Sequence, residues 1–335
     1  MQATAKAGKS STPRVFMGLS EIAGYYANLG QGLRGLGVDA TCVDAMGHPF
    51  QYAAEQRRFL RLLQHVSRQA RSTPRTAWLQ RIGWAIAYRA LLLPLFLWAV
   101  WRFDTFIFCY GQSFWQLRDL PILKALGKQI IFVFHGSDSR PPYLDGSIMA
   151  ADRGVTIEDC IAQTRRQKQK VQTIERYADV IISNRLSSQL HSKPFVEFIR
   201  VGIPYQTPTQ ESAGEQASAS AAVRILHSPS HPLAKGTPTI RQVIENLRQK
   251  GLAIEYVELT GKPNREVIEA LIECDFVIDQ LYSDTPMAGF AAEAAFYAKP
   301  VVVGGYGWAQ LENELPADCV PPTLRCHPDH IEQAV

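Results

Sequence analysis

Three short stretches concentrate side chains that can handle protons, phosphates or hydroxyls. HGSDSR, from His135 to Arg140, sets an imidazole, the Asp138 carboxylate and the Arg140 guanidinium directly behind an apolar run. His135 and Asp138 at that spacing are candidates for positioning and proton handling, with Arg140 to orient Asp138. An ordinary loop capped by an aspartate is the simpler alternative. HSPSHPLAKG, from His227 to Gly236, carries Ser230, His231 and Lys235, where an ammonium could neutralise a phosphate. DTPMAGFAAE runs from Asp284 to Glu293; Gly289 and Phe290 open a helix whose free N–H groups and positive end can hold a diphosphate. Glu293, four residues further on, can accept hydrogen bonds from ribose hydroxyls, or it is merely a glutamate favoured by the helix dipole. A fourth stretch, around Gly24, lets backbone approach a ligand at a helix start, and reads equally well as a tight turn.

Positioning such loops is the task of strands that end just before them. RVFMGL (Arg14–Leu19) is a short apolar run, and Tyr26, Leu29, Leu33 and Leu36 then follow at helical spacing until Gly37 stops them. Strand, helix and strand recur through Ala40–Val43, Thr105–Gly111, a helix over Gln116–Leu126, Gln129–Phe134, Ala178–Ser183 and Phe198–Gly202. The alternation restarts with Arg224–Ser228, a helix near Thr239–Lys250, Ile254–Leu259, a helix near Arg265–Glu273, Phe276–Asp279, a helix near Gly289–Ala298, and Val301–Gly305. Near-continuous apolar strands separated by helices predict parallel sheets covered on both faces. The expectation is an α/β chain of two tandem Rossmann-like, doubly wound domains facing across a cleft, with ligands at the carboxyl ends of the strands. The polar stretch Thr207–Ala222 reads as the linker, between an N-terminal domain over 14–206 and a C-terminal one over 223–335; residues 1–13 read as a disordered tail.

The composition agrees. A chain of 335 residues, 46% apolar and 20% charged, can bury two cores and is not disordered as a whole. Six cysteines without a C-x-x-C pair argue against a disulfide scaffold or zinc ribbon and point to reducing cytosol. No apolar leader follows Met1.

Charge is distributed very unevenly. Between Gln56 and Phe103 stand nine arginines, among them Arg57, Arg58 and Arg61, with no lysine or acid. Subtracting that +9 from the net +4 leaves the remainder at −5, so one segment holds the whole basic character. The same segment contains Trp78, Trp84, Trp98, Trp101 and the greasy run Ile82–Trp101, interrupted by Arg89. Nucleic acid would account for the arginines and not for the grease. A transmembrane helix and a buried core helix are both open. The favoured reading is a surface that lies on an anionic membrane, arginines on lipid phosphates and Trp98 and Trp101 at headgroup level.

These loops together resemble glycosyltransferases of the GT-B fold, family 4 in particular, through IAGYYANLGQGLRGLGVDA, HGSDSR, ADVIIS, RILHSPSHPLAKGT and VIDQLYSDTPMAGFAAEAAFYAKPVVV. The resemblance implies transfer of a sugar from a nucleotide diphosphate sugar, with retention of configuration and without a metal or further cofactor. It places His135 near the transferred sugar and acceptor, Lys235 on the donor diphosphate and Glu293 on the ribose. Ser230 and His231 stand where the family often has an arginine, and Thr285 where it has an earlier glutamate, so His231 or Asp284 is expected to take over a donor contact. The family also normally continues beyond Val335. The expected function is sugar transfer to a lipid-linked or polysaccharide acceptor at the cytoplasmic membrane face, by a peripheral protein that binds no nucleic acid. A non-catalytic membrane-docked nucleotide-sugar-binding subunit and a nucleotide-sugar epimerase of the same fold are the alternatives.

Overall fold

The computed structural model describes residues 12–22, 24–46, 58–74, 76–145, 148, 154–198, 222–282, 287–307, 313 and 320–335. The expected linker 207–222 lies outside these apart from Ala222, as does most of the expected tail.

The first half is a six-stranded sheet of order β2-β1-β3-β4-β5-β6. Its strands are β1 (Arg14–Leu19), β2 (Asp39–Asp44), β3 (Thr105–Cys109), β4 (Gln129–Val133), β5 (Val180–Ser183) and β6 (Val196–Glu197). Helices α1 (Tyr25–Gly35), α2 (Arg58–Ser72), α3 (Trp78–Arg102), α4 (Leu120–Ala125) and α5 (Ile157–Tyr177) connect them. β1 pairs in parallel with β2 and with β3, which places it inside the sheet and explains why nearly every residue of RVFMGL is buried. An aromatic cluster fills this half: the Phe16 ring lies 5.7 Å from Phe103, 5.5 Å from Phe106 and 5.4 Å from Phe114.

One expectation here needs correction. The helix expected from Gln116 starts only at Leu120. Before it, the Asp119 carboxylate accepts from Ser113 Oγ (2.6 Å) and the Trp115 N–H (2.9 Å), and Ser113 Oγ accepts from the Leu117 N–H (2.7 Å). These bonds hold 113–119 as turns, with Gln116 and Leu117 at positive φ, so helical hydrogen bonding cannot begin there. Among the described residues the last strand of this half is the two-residue β6; of the expected strand Phe198–Gly202 all but Phe198 lie outside the described residues.

The second half is a five-stranded sheet of order β11-β10-β9-β7-β8, every described pair parallel. It comprises β7 (Val223–His227), β8 (Ile254–Glu258), β9 (Phe276–Ile278), β10 (Val301–Gly304) and β11 (Leu324–Cys326), with helices α6 (Pro232–Lys235), α7 (Thr237–Gln249), α8 (Asn264–Glu273), α9 (Gly289–Phe296) and α10 (Ile331–Ala334). One core gathers Leu226, Leu271, Val277, Ala291 and Ala294; another gathers Ile225, Ile240, Ile244, Ile278 and Leu281. Both sheets wind alike: the first strand of each half sits beside the second on one side and the third on the other, so the winding reverses at β1/β3 and at β7/β9. In doubly wound sheets the loops beyond that reversal form the crevice that receives ligands.

Candidate functional site

The reversal at β7/β9 carries a cluster of buried polar side chains. β7 ends on His227, which is 0% exposed. Its Nδ1 lies 2.7 Å from the carbonyl oxygen of Ile278, an obligate acceptor, so Nδ1 bears the hydrogen. Nε2, 2.8 Å from Thr237 Oγ1, then accepts from that hydroxyl. Burial lowers the imidazole's pKa, consistent with a neutral ring that pins the end of β7 to β9 and to the first turn of α7.

Lys235 ends α6 three residues after Pro232, whose fixed φ suits a helix start. Its Nζ donates to Asp279 Oδ1 at 2.9 Å and to Gln280 Oε1 at 3.1 Å. Asp279 follows β9 directly and is 1% exposed; its Oδ2 is buried without a hydrogen-bond partner among the described residues. The ammonium therefore stands at the carboxyl end of the sheet, held by a buried carboxylate. Gly236 makes the turn possible: its φ is 79°, and a Cβ there would sit 2.8 Å from the Leu281 side chain. The Leu281 N–H donates to the Lys235 carbonyl at 3.2 Å, closing the turn onto the β9 loop.

α9 begins at Gly289, after the N-cap residue Ala288, whose methyl side chain cannot cap it. Phe290 packs against the core and orients the helix. Glu293 lies a full turn inside and is buried, which removes the reading of it as a dipole-favoured glutamate of the first turn. Its Oε1 accepts from Asn264 Nδ2 at 3.0 Å. Burial, with a smaller contribution from the nearby Asp279 charge, pushes its pKa up to about 7. Ser230 and His231 are exposed on the loop after β7, and His231 Nδ1 caps α6 by accepting from the Ala234 N–H at 3.3 Å. Asp284 lies outside the described residues.

In the first half, His135 to Arg140 follow β4 as a tight turn. The backbone N–H groups of His135 and Gly136 both donate to Asp138 Oδ1 at 3.0 Å. Desolvation raises Asp138 to about 6 and lowers His135 to about 4, so His135 is a neutral imidazole at physiological pH. Its ring stands edge-on to Phe198 at 5.7 Å. Arg140, itself buried, bonds Asp145 Oδ2 at 2.5 Å, and its charge also favours the ionised form of Asp138. Five residues of separation bring that carboxylate round the 3₁₀ turn Pro142–Leu144, while Asp138 is engaged by backbone.

Gly24 starts α1 at φ 76°. The anion at this helix start belongs to the chain itself: the buried Glu21 carboxylate accepts from the N–H groups of Ile22 (2.8 Å), Tyr26 (3.1 Å) and Ala27 (2.9 Å). Donors expected to meet a ligand at Gly24 are thus occupied. Of the residues expected at a membrane, Arg58 and Arg61 are exposed on α2 and Trp101 is 78% exposed on α3; Arg57 lies outside the described residues. Trp98 is half-buried with its ring edge-on to Phe103 at 5.2 Å, so it belongs to the packed side of α3.

Sequence reasoning passed over His227, Asp279, Gln280 and Asn264. For Asp279 a signal was present: a carboxylate ending an otherwise apolar strand, where burial is costly unless a cation meets it. Nothing local marked Asn264.

No family model and no curated protein matches the chain. Among solved structures, the glycotransferase of kitacinnamycin matches with a TM-score of 0.50 at 12% identity, over 97% of this chain and 90% of that one. HepE of Anabaena, solved in complex with UDP-glucose, matches with a TM-score of 0.50 at 13% identity, over 97% of this chain and 88% of that one. The chain thus has the α/β fold of these proteins, two parallel Rossmann-like sheets in tandem.

Proposed function

We propose that the chain is a glycosyltransferase that moves a sugar from a nucleotide diphosphate sugar to a lipid-linked or polysaccharide acceptor at the cytoplasmic face of the membrane. The observation that carries the reading is the Lys235–Asp279–Gln280 cluster at the β7/β9 reversal, beside the α9 residue Glu293. A diphosphate leaving group develops negative charge as the glycosidic bond breaks. A preset ammonium and the positive end of α9 suit that charge, because neither has to reorganise at the moment of reaction. Asp279 fixes where the ammonium stands, and the diphosphate draws on the same Nζ. Glu293, titrating near neutrality, can accept from or donate to ribose hydroxyls. His135, neutral and half-buried behind β4, suits orientation of the sugar or acceptor hydroxyl. Retention of configuration without a metal belongs to the same proposal and follows from the likeness of these loops to family 4.

The UDP-glucose complex of HepE supports a nucleotide sugar as ligand class. The test is a panel of nucleotide diphosphate sugars screened for thermal stabilisation, followed by transfer assays with the one that binds. A donor at 100 times its Kd should stabilise by about 2.7 kcal/mol. A panel that neither stabilises the protein nor is hydrolysed or transferred would sink the reading. Release of an epimerised free nucleotide sugar would replace it with the epimerase.

A further inference from the structure

α3 runs 25 residues with two different apolar stripes. Leu92, Leu95, Phe96 and Ala99 are buried, and Phe96 meets Phe114 edge-on at 5.2 Å, so this stripe is part of the sheet's core. A second stripe, Trp78, Ile82, Ile86, Leu93, Leu97 and Trp101, is exposed from end to end, with Ile86 at 61% and Trp101 at 78%. At 100° per residue these six fall within an arc of about 140°, and they extend over about 35 Å of helix. Single exposed apolar residues are ordinary on a protein surface; a row of this length, interrupted on its face by Arg89, is not.

Charge identifies what covers the row. Arg81 and Arg89 bracket an open hollow lined by Trp78, Ile82, Ala85 and Ile86. α2 packs along α3, with the His65 ring edge-on to Trp84 at 6.4 Å, and carries the exposed Arg58, Arg61, Arg68 and Arg71. Arg102 pairs with Asp39, whereas among the described residues none of these six arginines is in an ion pair. Neither α2 nor α3 contains an acid. Arg68 and Arg71 donate to backbone carbonyls, which leaves their charge unneutralised. A grease strip with guanidinium groups along and within it, outside any ion pair among the described residues, calls for an occupant that is apolar inside and anionic at its border.

We infer that α3 lies in the plane of an anionic phospholipid bilayer, its Trp78–Trp101 stripe among the upper acyl chains and Arg81 and Arg89 on lipid phosphates. The inference rests on the membrane-face part of the proposed function and not on sugar transfer. A span across the bilayer is opposed by the packed stripe, since threading α3 through lipid would withdraw Leu92, Leu95, Phe96 and Ala99 from the core. A buried core helix is opposed by the exposed stripe. The arginine stems lie along apolar surface while their heads reach phosphate, the usual disposition at an interface.

The test uses the full chain and vesicles of phosphatidylcholine with or without phosphatidylglycerol, read by flotation and by tryptophan emission. The wild type should float with phosphatidylglycerol vesicles, with blue-shifted emission. Ile86→Ser/Leu97→Ser should weaken binding at least tenfold and remove the part that survives high salt. Arg81→Glu/Arg89→Glu should weaken it at least tenfold and remove the salt-sensitive part, because the screening length falls from about 10 Å at 0.1 M salt to about 3 Å at 1 M. Both pairs are exposed, so melting temperature and nucleotide-sugar affinity should stay at wild-type values. Binding that is unaffected by either pair would overturn this surface while leaving membrane association standing. No association with either vesicle would overturn the membrane reading as well. Resistance of the native protein to alkaline extraction from membranes would overturn the in-plane arrangement in favour of a span.

Discussion

Glu293→Gln should make the protein more stable and less able to bind its donor. The side chain is 8% exposed, and burial, with help from the Asp279 charge, lifts its pKa from 4.5 to about 7. Its charged form is therefore disfavoured in the folded chain. Between these two values the folded state binds more protons than the unfolded one, so stability falls as pH rises, and the penalty is complete above about pH 7. A shift of about 2.5 units corresponds to about 3 kcal/mol at pH 8, about 1 kcal/mol at pH 5 and almost nothing at pH 4. Glutamine keeps the volume, and its Oε1 still accepts from Asn264 Nδ2, so the substitution removes little but the charge. Urea denaturation of both proteins at pH 4, 5 and 8 should show the gain growing with pH. Affinity for the nucleotide sugar at pH 8 should fall about tenfold, as for one lost charge-assisted hydrogen bond. A gain independent of pH, or a loss of stability at pH 8, would refute the reasoning, because it would mean that the buried carboxylate is not what is being relieved.

Lys235→Ala should weaken nucleotide-sugar binding about ten- to a hundredfold, measured by calorimetry. The sequence alone predicts an intact fold for this variant, but removing the ammonium strands the buried Asp279 carboxylate, a loss of about 3 to 5 kcal/mol. Lys235→Ala/Asp279→Asn should recover most of that stability and none of the affinity, checked by melting and by titration with donor. His135→Ala should lower kcat about a hundredfold or more with donor Kd little changed. Because the imidazole is held near pKa 4, the wild-type rate should show no His135 limb around pH 6.5, and a pH–rate profile that loses such a limb in His135→Ala would contradict the assignment.

Much of the fold was legible because parallel strands buried on both faces must be apolar throughout. RVFMGL was delimited to the residue as β1, and IEYVEL, FVID and VVVGG to within one or two residues. Their alternation with helices of 3.6-residue period dictates doubly wound sheets almost by itself. Loops after those strands were identifiable for the same reason: HGSDSR and HSPSHPLAKG interrupt apolar runs with polar side chains. Which polar groups meet was decided only by the tertiary structure. Lys235 and Asp279 are 44 residues apart and Asn264 and Glu293 29 apart, and no local period encodes a contact between neighbouring strand ends. The same holds for Arg140, whose spacing allowed Asp138 and whose turn delivered Asp145, and for Glu21, which reached the start of α1 from the preceding loop. α3 shows the division most plainly. Composition established a long apolar helix edged by arginine, and any of three environments satisfied it. Packing of Phe96 against Phe114, with Trp101 left in the open, separated one stripe from the other, because a helix side chain's environment depends on what the rest of the chain brings alongside it.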